Sequence, residues 1–301
     1  MPRVIARDGQ ALHVRVVGRG QPALLLHGMG MDSRYWLPFV LPYLNRFRFY
    51  LPDFRGAGGS AGVRLNQRDI FQNHMEDVQD IIRHFGLQDF LLAGYSLGGS
   101  TALHLLNAGG FEGVRRYLHI DQSPCVGNRE GWRYGLWGER QEELFGALRR
   151  LQVVLEQHAD AEQLSQLPPP ARRQAVATLA ETFARIAGKP RLRDVLIAAS
   201  QWPWLFRKLA PVAHLGDLRA TLASYVSGGH DYRPALANCP VPVTVLVGMR
   251  SDLYHPEGQM TIARQVREGR IVRFEKSGHV PLSDEPLRFV RELGRFLQGG
   301  A

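Results

Sequence analysis

Cysteine is close to absent from this chain, with Cys125 and Cys239 alone among 301 residues. Two thiols make neither a disulfide scaffold nor a zinc site; both read as structural, and the strand order derived below sets them at opposite edges of a sheet. Long apolar runs are missing too. No stretch approaches the roughly 18 uninterrupted apolar residues that a membrane span needs, and Met1-Pro2-Arg3-Val4-Ile5-Ala6-Arg7-Asp8 contains no apolar signal core, so the expected location is the cytoplasm. Lysine is scarce: Lys189, Lys208 and Lys276 are the only lysines among 37 basic residues. The arginines behind the net charge of +9 are spread along the chain between acidic residues and form no stripe. No groove-reading motif accompanies them, which argues against a nucleic-acid partner. The histidines lack the i, i+4 pairing of a helical metal site, and no metal or other cofactor is expected. With 45% hydrophobic and 22% charged residues, the composition is that of a globular chain with a large core.

What is present is an alternation of buried strands and amphipathic helices. The opening predicts two short strands, 3–6 and 11–17, joined by a hairpin at Asp8-Gly9. Further strands are predicted at 23–26, 47–51, 90–95, 116–120, 241–247 and 270–275, with 23–26 and 90–95 as continuous apolar runs of the kind buried on both faces. Between them lie helical patterns. One is capped by Asp69 and stopped by Gly86, one follows Ser96 and stops at Gly109-Gly110, and others cover 256–266 and 286–297. Strands and helices in this order predict an α/β fold, a mostly parallel sheet with helices on both faces.

The alternation stops near Gly127 and resumes at Pro240. Helical patterns at 141–158, 170–186 and 191–209 fill the interval, with Leu167-Pro168-Pro169-Pro170 as a rigid connector. The predicted organisation is a core of residues 1–126 and 236–301 carrying an inserted helical cap, 127–235. That cap is rich in aromatics. Trp137, Trp202 and Trp204 are the candidates to line an apolar substrate pocket, the alternative being that they pack the cap against the core.

Chemistry concentrates at the strand ends. Phe90-Leu91-Leu92-Ala93-Gly94-Tyr95-Ser96-Leu97-Gly98-Gly99 is an apolar run that stops at a serine between glycines, the pattern of a sharp strand-to-helix turn that exposes a hydroxyl. Ser96 is therefore the candidate nucleophile. A serine hydroxyl needs a base, an acid to orient that base, and donors for a developing oxyanion. His279, in the loop after the last strand, is the candidate base. Asp252, after the preceding strand, is the expected acid; Asp121 closes the sixth strand and is the competitor, otherwise a turn cap. The amides of Met29, after His27-Gly28, and of Leu97 are the candidate oxyanion donors, with His27 packed beneath the loop. The glycine-rich loop after the fourth strand superficially fits G-x-G-x-x-A, but no periodic helix starts there and no acidic residue follows at dinucleotide spacing. Arg55 within it is expected to pair with a carboxylate or carbonyl and fix the loop.

Taken in order, His27-Gly28-Met29-Gly30, Asp53-Phe54-Arg55-Gly56-Ala57-Gly58-Gly59-Ser60, Gly94-Tyr95-Ser96-Leu97-Gly98-Gly99, Val247-Gly248 with Asp252, and Ser277-Gly278-His279 with Glu285-Pro286 make the chain resemble the α/β-hydrolase superfamily over nearly its whole length. The resemblance is to the serine-nucleophile branch with a helical cap, which includes esterases, lactonases and cofactor-free haloperoxidase-like proteins. It implies an eight-stranded, mostly parallel sheet, a cap after the sixth strand and an acyl-enzyme mechanism. A serine at position 96 sets the chain apart from the haloalkane dehalogenase and epoxide hydrolase branches. A minority of related enzymes resemble an arrangement with the acid after the sixth strand, which keeps Asp121 open. The expected activity is hydrolysis of a small-molecule carboxylic ester, thioester or lactone with an apolar acyl or alcohol part. The alternatives are C–C bond hydrolysis of a ring-cleavage product, acyl transfer, or a non-enzymatic ligand receptor on the same fold.

Overall fold

The computed structural model describes residues 2–66, 69–202, 205–206, 214–227 and 230–299. Its frame is an eight-stranded sheet in the order β1-β2-β4-β3-β5-β6-β7-β8. The strands are β1 (Arg3–Ile5), β2 (Ala11–Gly18), β3 (Gln21–Leu26), β4 (Phe47–Pro52), β5 (Phe90–Tyr95), β6 (Val114–Ile120), β7 (Val243–Gly248) and β8 (Gly269–Phe274). β2 runs antiparallel to both β1 and β4, and every pairing from β4 to β8 is parallel. The central strand β5 is buried along its whole length, which is why it reads as unbroken apolar sequence.

Successive side chains of a strand point to opposite faces, and the core divides accordingly. Leu24, Leu26 and Leu92 join one apolar cluster, while Ala23, Leu25 and Leu91 join the other. Helices α2 (Ile70–Phe85) and α3 (Leu97–Asn107) cover the first face, and α1 (Leu37–Val40) lies on the second. The Asp69 side chain accepts from Phe71 N–H at 2.9 Å and so caps α2, and Gly86, at φ 56°, ends it in a left-handed turn that glycine adopts without strain.

Between β6 and β7 the chain forms α4 (Gln141–Gln157), α5 (Pro169–Ile186), α6 (Arg191–Ala199), α7 (Leu215–Val226) and α8 (Arg233–Leu236). The helix expected from 170 starts one residue earlier, at Pro169, because the first turn of a helix has no use for the N–H that proline lacks. α4 packs on α5 and α7, and α7 also touches α2 of the core. The two ends of this excursion are neighbours. Cys125 and Asp231 form an antiparallel bridge, and Tyr232 N–H donates to Pro124 O at 2.8 Å. After β7 come α9 (Pro256–Gln265), α10 (Pro281–Asp284) and α11 (Pro286–Gln298), the last burying Phe289, Leu293, Phe296 and Leu297 against the second face. Cys125, past the C-terminal end of β6, and Cys239, before β7, are both buried and unpaired. Among the described residues no helix is long and apolar enough to cross a membrane.

Candidate active site

At the end of β5 the backbone reverses into α3 within one residue. Ser96 sits at φ 52°, ψ −115°, a conformation that a non-glycine residue holds only under strain of roughly 1–3 kcal/mol. The surroundings enforce it. Ser96 N–H donates to Ile120 O and Ser100 N–H donates to Ser96 O, each at 3.0 Å. The flanking glycines leave no room for a side chain: a Cβ on Gly94 would lie 2.4 Å from Gly98 O, and one on Gly98 would lie 2.4 Å from Leu26 O.

His279 comes to Ser96 from the loop after β8. Its Nε2 lies 3.0 Å from Ser96 Oγ, and its Nδ1 lies 2.6 Å from Asp121 Oδ2. Asp121 is fully buried and directly follows β6, in a left-handed conformation at φ 45°. Its carboxylate is saturated with donors. Oδ2 also accepts from Ser251 Oγ at 2.9 Å, and Oδ1 accepts from Gly248 N–H at 2.9 Å and Gln259 Nε2 at 3.0 Å. With a carboxylate on Nδ1, that nitrogen carries the imidazole proton and Nε2 faces the serine hydroxyl as an acceptor. Tyr95 Oη donates to the His279 carbonyl at 3.0 Å and holds the loop from below.

Asp252, the expected acid, is not brought to His279. After β7 the chain turns, with Ser251 N–H donating to Gly248 O at 3.1 Å. The turn aims the Ser251 hydroxyl at the site and leaves Asp252 exposed to solvent. Asp121, one strand from Ser96, occupies the place on the imidazole.

The loop after β3 is built around His27. Phe54 N–H donates to its Nε2 at 3.0 Å and its Nδ1 donates to Gly28 O at 2.8 Å. Burial lowers its pKa, so the ring stays neutral and keeps both bonds. Among the described residues neither the Met29 nor the Leu97 amide donates to another protein group, and Leu97 opens α3, where first-turn amides lack helical partners. The neighbouring loop is fastened as expected by Arg55. Its guanidinium binds Asp77 at 2.6 and 2.8 Å, Asp8 at 2.6 Å and Arg64 O at 2.9 Å.

A cavity of about 680 Å³, open solvent at its mouth included, has Ser96 and Met29 in its wall together with Leu253 and Tyr254 after β7 and side chains of α4, α5 and α7. Among the described residues no charged side chain lines it. Of the three tryptophans expected at a pocket, Trp137 is buried in this wall. Trp202 is 55% exposed and stands outside it, because α6 ends at Ala199 and leaves it on the surface. Trp204 lies outside the described residues. The aliphatic lining from α5 and α7 was not singled out from sequence, since leucines at helical spacing look the same whether they meet a core or a cavity.

A sequence model of the alpha/beta hydrolase family matches residues 23–292. A pimeloyl-[acyl-carrier protein] methyl ester esterase from Nitrosospira multiformis is 26% identical over 295 residues, covering 95% of this chain and 98% of that protein. A 3-oxoadipate enol-lactonase from Acinetobacter baylyi is 31% identical over 130 residues, covering 42% of this chain and 47% of that protein. Among solved structures, an esterase from Exiguobacterium antarcticum superposes with a TM-score of 0.74 at 22% identity, covering 98% of each chain.

Proposed function

The chain belongs to the alpha/beta hydrolase family, and on that footing we propose that it is an ester-bond hydrolase working through an acyl-enzyme on Ser96, with His279 as general base and Asp121 as the orienting acid. The observation that carries this reading is the continuous path from Ser96 Oγ to His279 Nε2 at 3.0 Å and from His279 Nδ1 to Asp121 Oδ2 at 2.6 Å. Relatives named as an ester esterase and an enol-lactonase support ester and lactone bonds as the class attacked.

The steps follow from the geometry. Ser96 Oγ attacks the substrate carbonyl carbon while its proton passes to His279 Nε2, and Asp121 stabilises the imidazolium that forms. The negative charge on the former carbonyl oxygen meets the Met29 and Leu97 amides, which are free to donate. Collapse expels the alcohol, which takes the proton back from His279. Water then attacks the acyl-serine with His279 again as base, releasing the acid and restoring Ser96.

The residues between β6 and β7 act in this reading as the cap that supplies most of the cavity wall. A C–C hydrolase acting on a carboxylate-bearing ring-cleavage product fits less well, because among the described residues no arginine or other cation lines the cavity. Labelling with a fluorophosphonate and turnover of p-nitrophenyl butyrate test the proposal. Both are expected in the native protein and neither in Ser96→Ala, and a folded native protein inert to both reagents would refute it.

A further inference from the structure

The cavity beside Ser96 is nearly all hydrocarbon, and its few hydroxyls differ in whether they are already engaged. Thr182 donates to Thr178 O and Thr221 to Asp217 O, each at 2.8 Å and each within its own helix. The Tyr254 side chain sits beside Gln122, which offsets part of the rise that burial gives its pKa, and Ser96 Oγ faces His279. Tyr225 of α7 is different. Its ring is fixed edge-on against Phe71 with centroids 5.2 Å apart and forms part of the cavity wall, yet among the described residues its hydroxyl has no hydrogen-bond partner. Burial alone raises its pKa, so it stays protonated as a donor.

Two chemical consequences meet in one wall. A ligand that leaves this hydroxyl dry forfeits a hydrogen bond that water would have made, whereas a neutral oxygen on the ligand restores it. An ionised group would enter a space with no cation among the described residues of its lining and would lose its hydration without compensation there.

Resting on the serine-hydrolase reading above, we propose that the part of the ester lodged in this cavity is an uncharged, mainly hydrocarbon chain bearing one neutral oxygen, a ketone, ether or hydroxyl, that hydrogen-bonds to Tyr225 Oη. Esters with an ionised carboxylate on that chain are rejected. Tyr225 is then a specificity-determining residue, remote from the bond broken.

The test compares matched esters. p-Nitrophenyl hexanoate, its 4-oxo and 5-oxo analogues and mono-p-nitrophenyl adipate vary the acyl side. The acetates of hexanol, of its oxo analogues and of 6-hydroxyhexanoate vary the alcohol side. In the series that the cavity accepts, the better oxo ester should exceed the plain chain about tenfold in kcat/KM, and the carboxylate ester should fall below it about a thousandfold. Tyr225→Phe should bring the oxo-to-plain ratio close to one. The proposal is overturned if the carboxylate esters are turned over as well as the plain ones in both series, or if Tyr225→Phe leaves the oxo preference intact. The wild-type ratios decide the charge rule even if that variant folds poorly. Turnover without discrimination refutes this inference alone, whereas absence of both turnover and fluorophosphonate labelling refutes the serine-hydrolase reading.

Discussion

Replacing Asp121 by asparagine keeps the shape of the side chain and changes the sign of half its hydrogen bonding. All four groups around the carboxylate donate to it: Gly248 N–H and Gln259 Nε2 on Oδ1, Ser251 Oγ and His279 Nδ1 on Oδ2. With the amide oxygen toward His279, the new NH₂ faces two donors in a fully buried site, which costs about 1–3 kcal/mol for each group left unsatisfied. With the NH₂ toward His279, the Ser251 hydroxyl can reverse, but the imidazole must accept at Nδ1 and carry its proton on Nε2, facing Ser96 with nothing to take. Either way the base is lost or misheld, and kcat should fall by about 10⁴. Asp252 makes no hydrogen bond to His279 and is exposed, so Asp252→Asn should change kcat by less than about twofold, within the range of a surface substitution. The assay is steady-state hydrolysis of p-nitrophenyl butyrate, with thermal unfolding alongside to separate misfolding from lost chemistry. A ten-thousandfold loss in Asp252→Asn, with Asp121→Asn within tenfold of the native enzyme, would refute the geometric assignment.

Three further outcomes are expected. Ser96→Gly should abolish turnover while leaving Tm unchanged or raising stability by up to about 2 kcal/mol, because glycine relieves the strained φ of 52°; a Tm several degrees lower contradicts the strain argument. Gly98→Ala should cost about 3 kcal/mol and several degrees of Tm, since its Cβ would meet the Leu26 carbonyl at 2.4 Å, whereas Gly62→Ala, with nothing within 4 Å, should be close to neutral; equal Tm values for the two variants would show that the elbow is not tightly packed. Acid should destabilise the protein. Burial pushes Asp80 and Asp8 up, but the hydrogen bonds from Arg7 and Arg55 outweigh it and hold both below the ordinary carboxylate value. A depressed folded-state pKa contributes stability that is complete above the unfolded value of about 4 and is lost as pH falls through the folded one. Asp77, raised by burial despite its contact with Arg55, works in the opposite sense. Tm followed by circular dichroism should stay level from pH 7 to about 5 and drop below about 4; a Tm that rises over that interval would mean that Asp77 and its like dominate.

The sheet and the serine turn were legible in the sequence because each has a strong local cause. A strand buried on both faces must be continuously apolar, as residues 23–26 of β3 and all of β5 are, and a chain reversing at Ser96 needs small residues at 94 and 98. His279 was legible through its place after the last strand. The acid was not. Asp121 and Asp252 both follow strands, and what separates them is the direction of one turn: the backbone at 248–251 sends Ser251 inward and Asp252 out. The available signal was that Asp121 adjoins β6 directly, while Asp252 stands four residues beyond β7. The substrate wall was hidden for another reason. The tryptophans attracted notice by their size, but Trp202 faces solvent, and the cavity is made chiefly of aliphatic positions on α5 and α7 whose spacing is that of any buried helix face.

The bridge between Cys125 and Asp231 brings the two ends of the stretch between β6 and β7 side by side. Ser96, Asp121 and His279 all lie on one side of it, and Trp137, Leu179 and Tyr225 lie on the other. A foreign block of helices spliced in at those two residues would find its ends already at strand-pairing distance, with none of the residues to which we assign the chemistry inside the exchanged piece. On that assignment the cavity wall can be replaced as one unit while the proposed bond-breaking residues stay where they are.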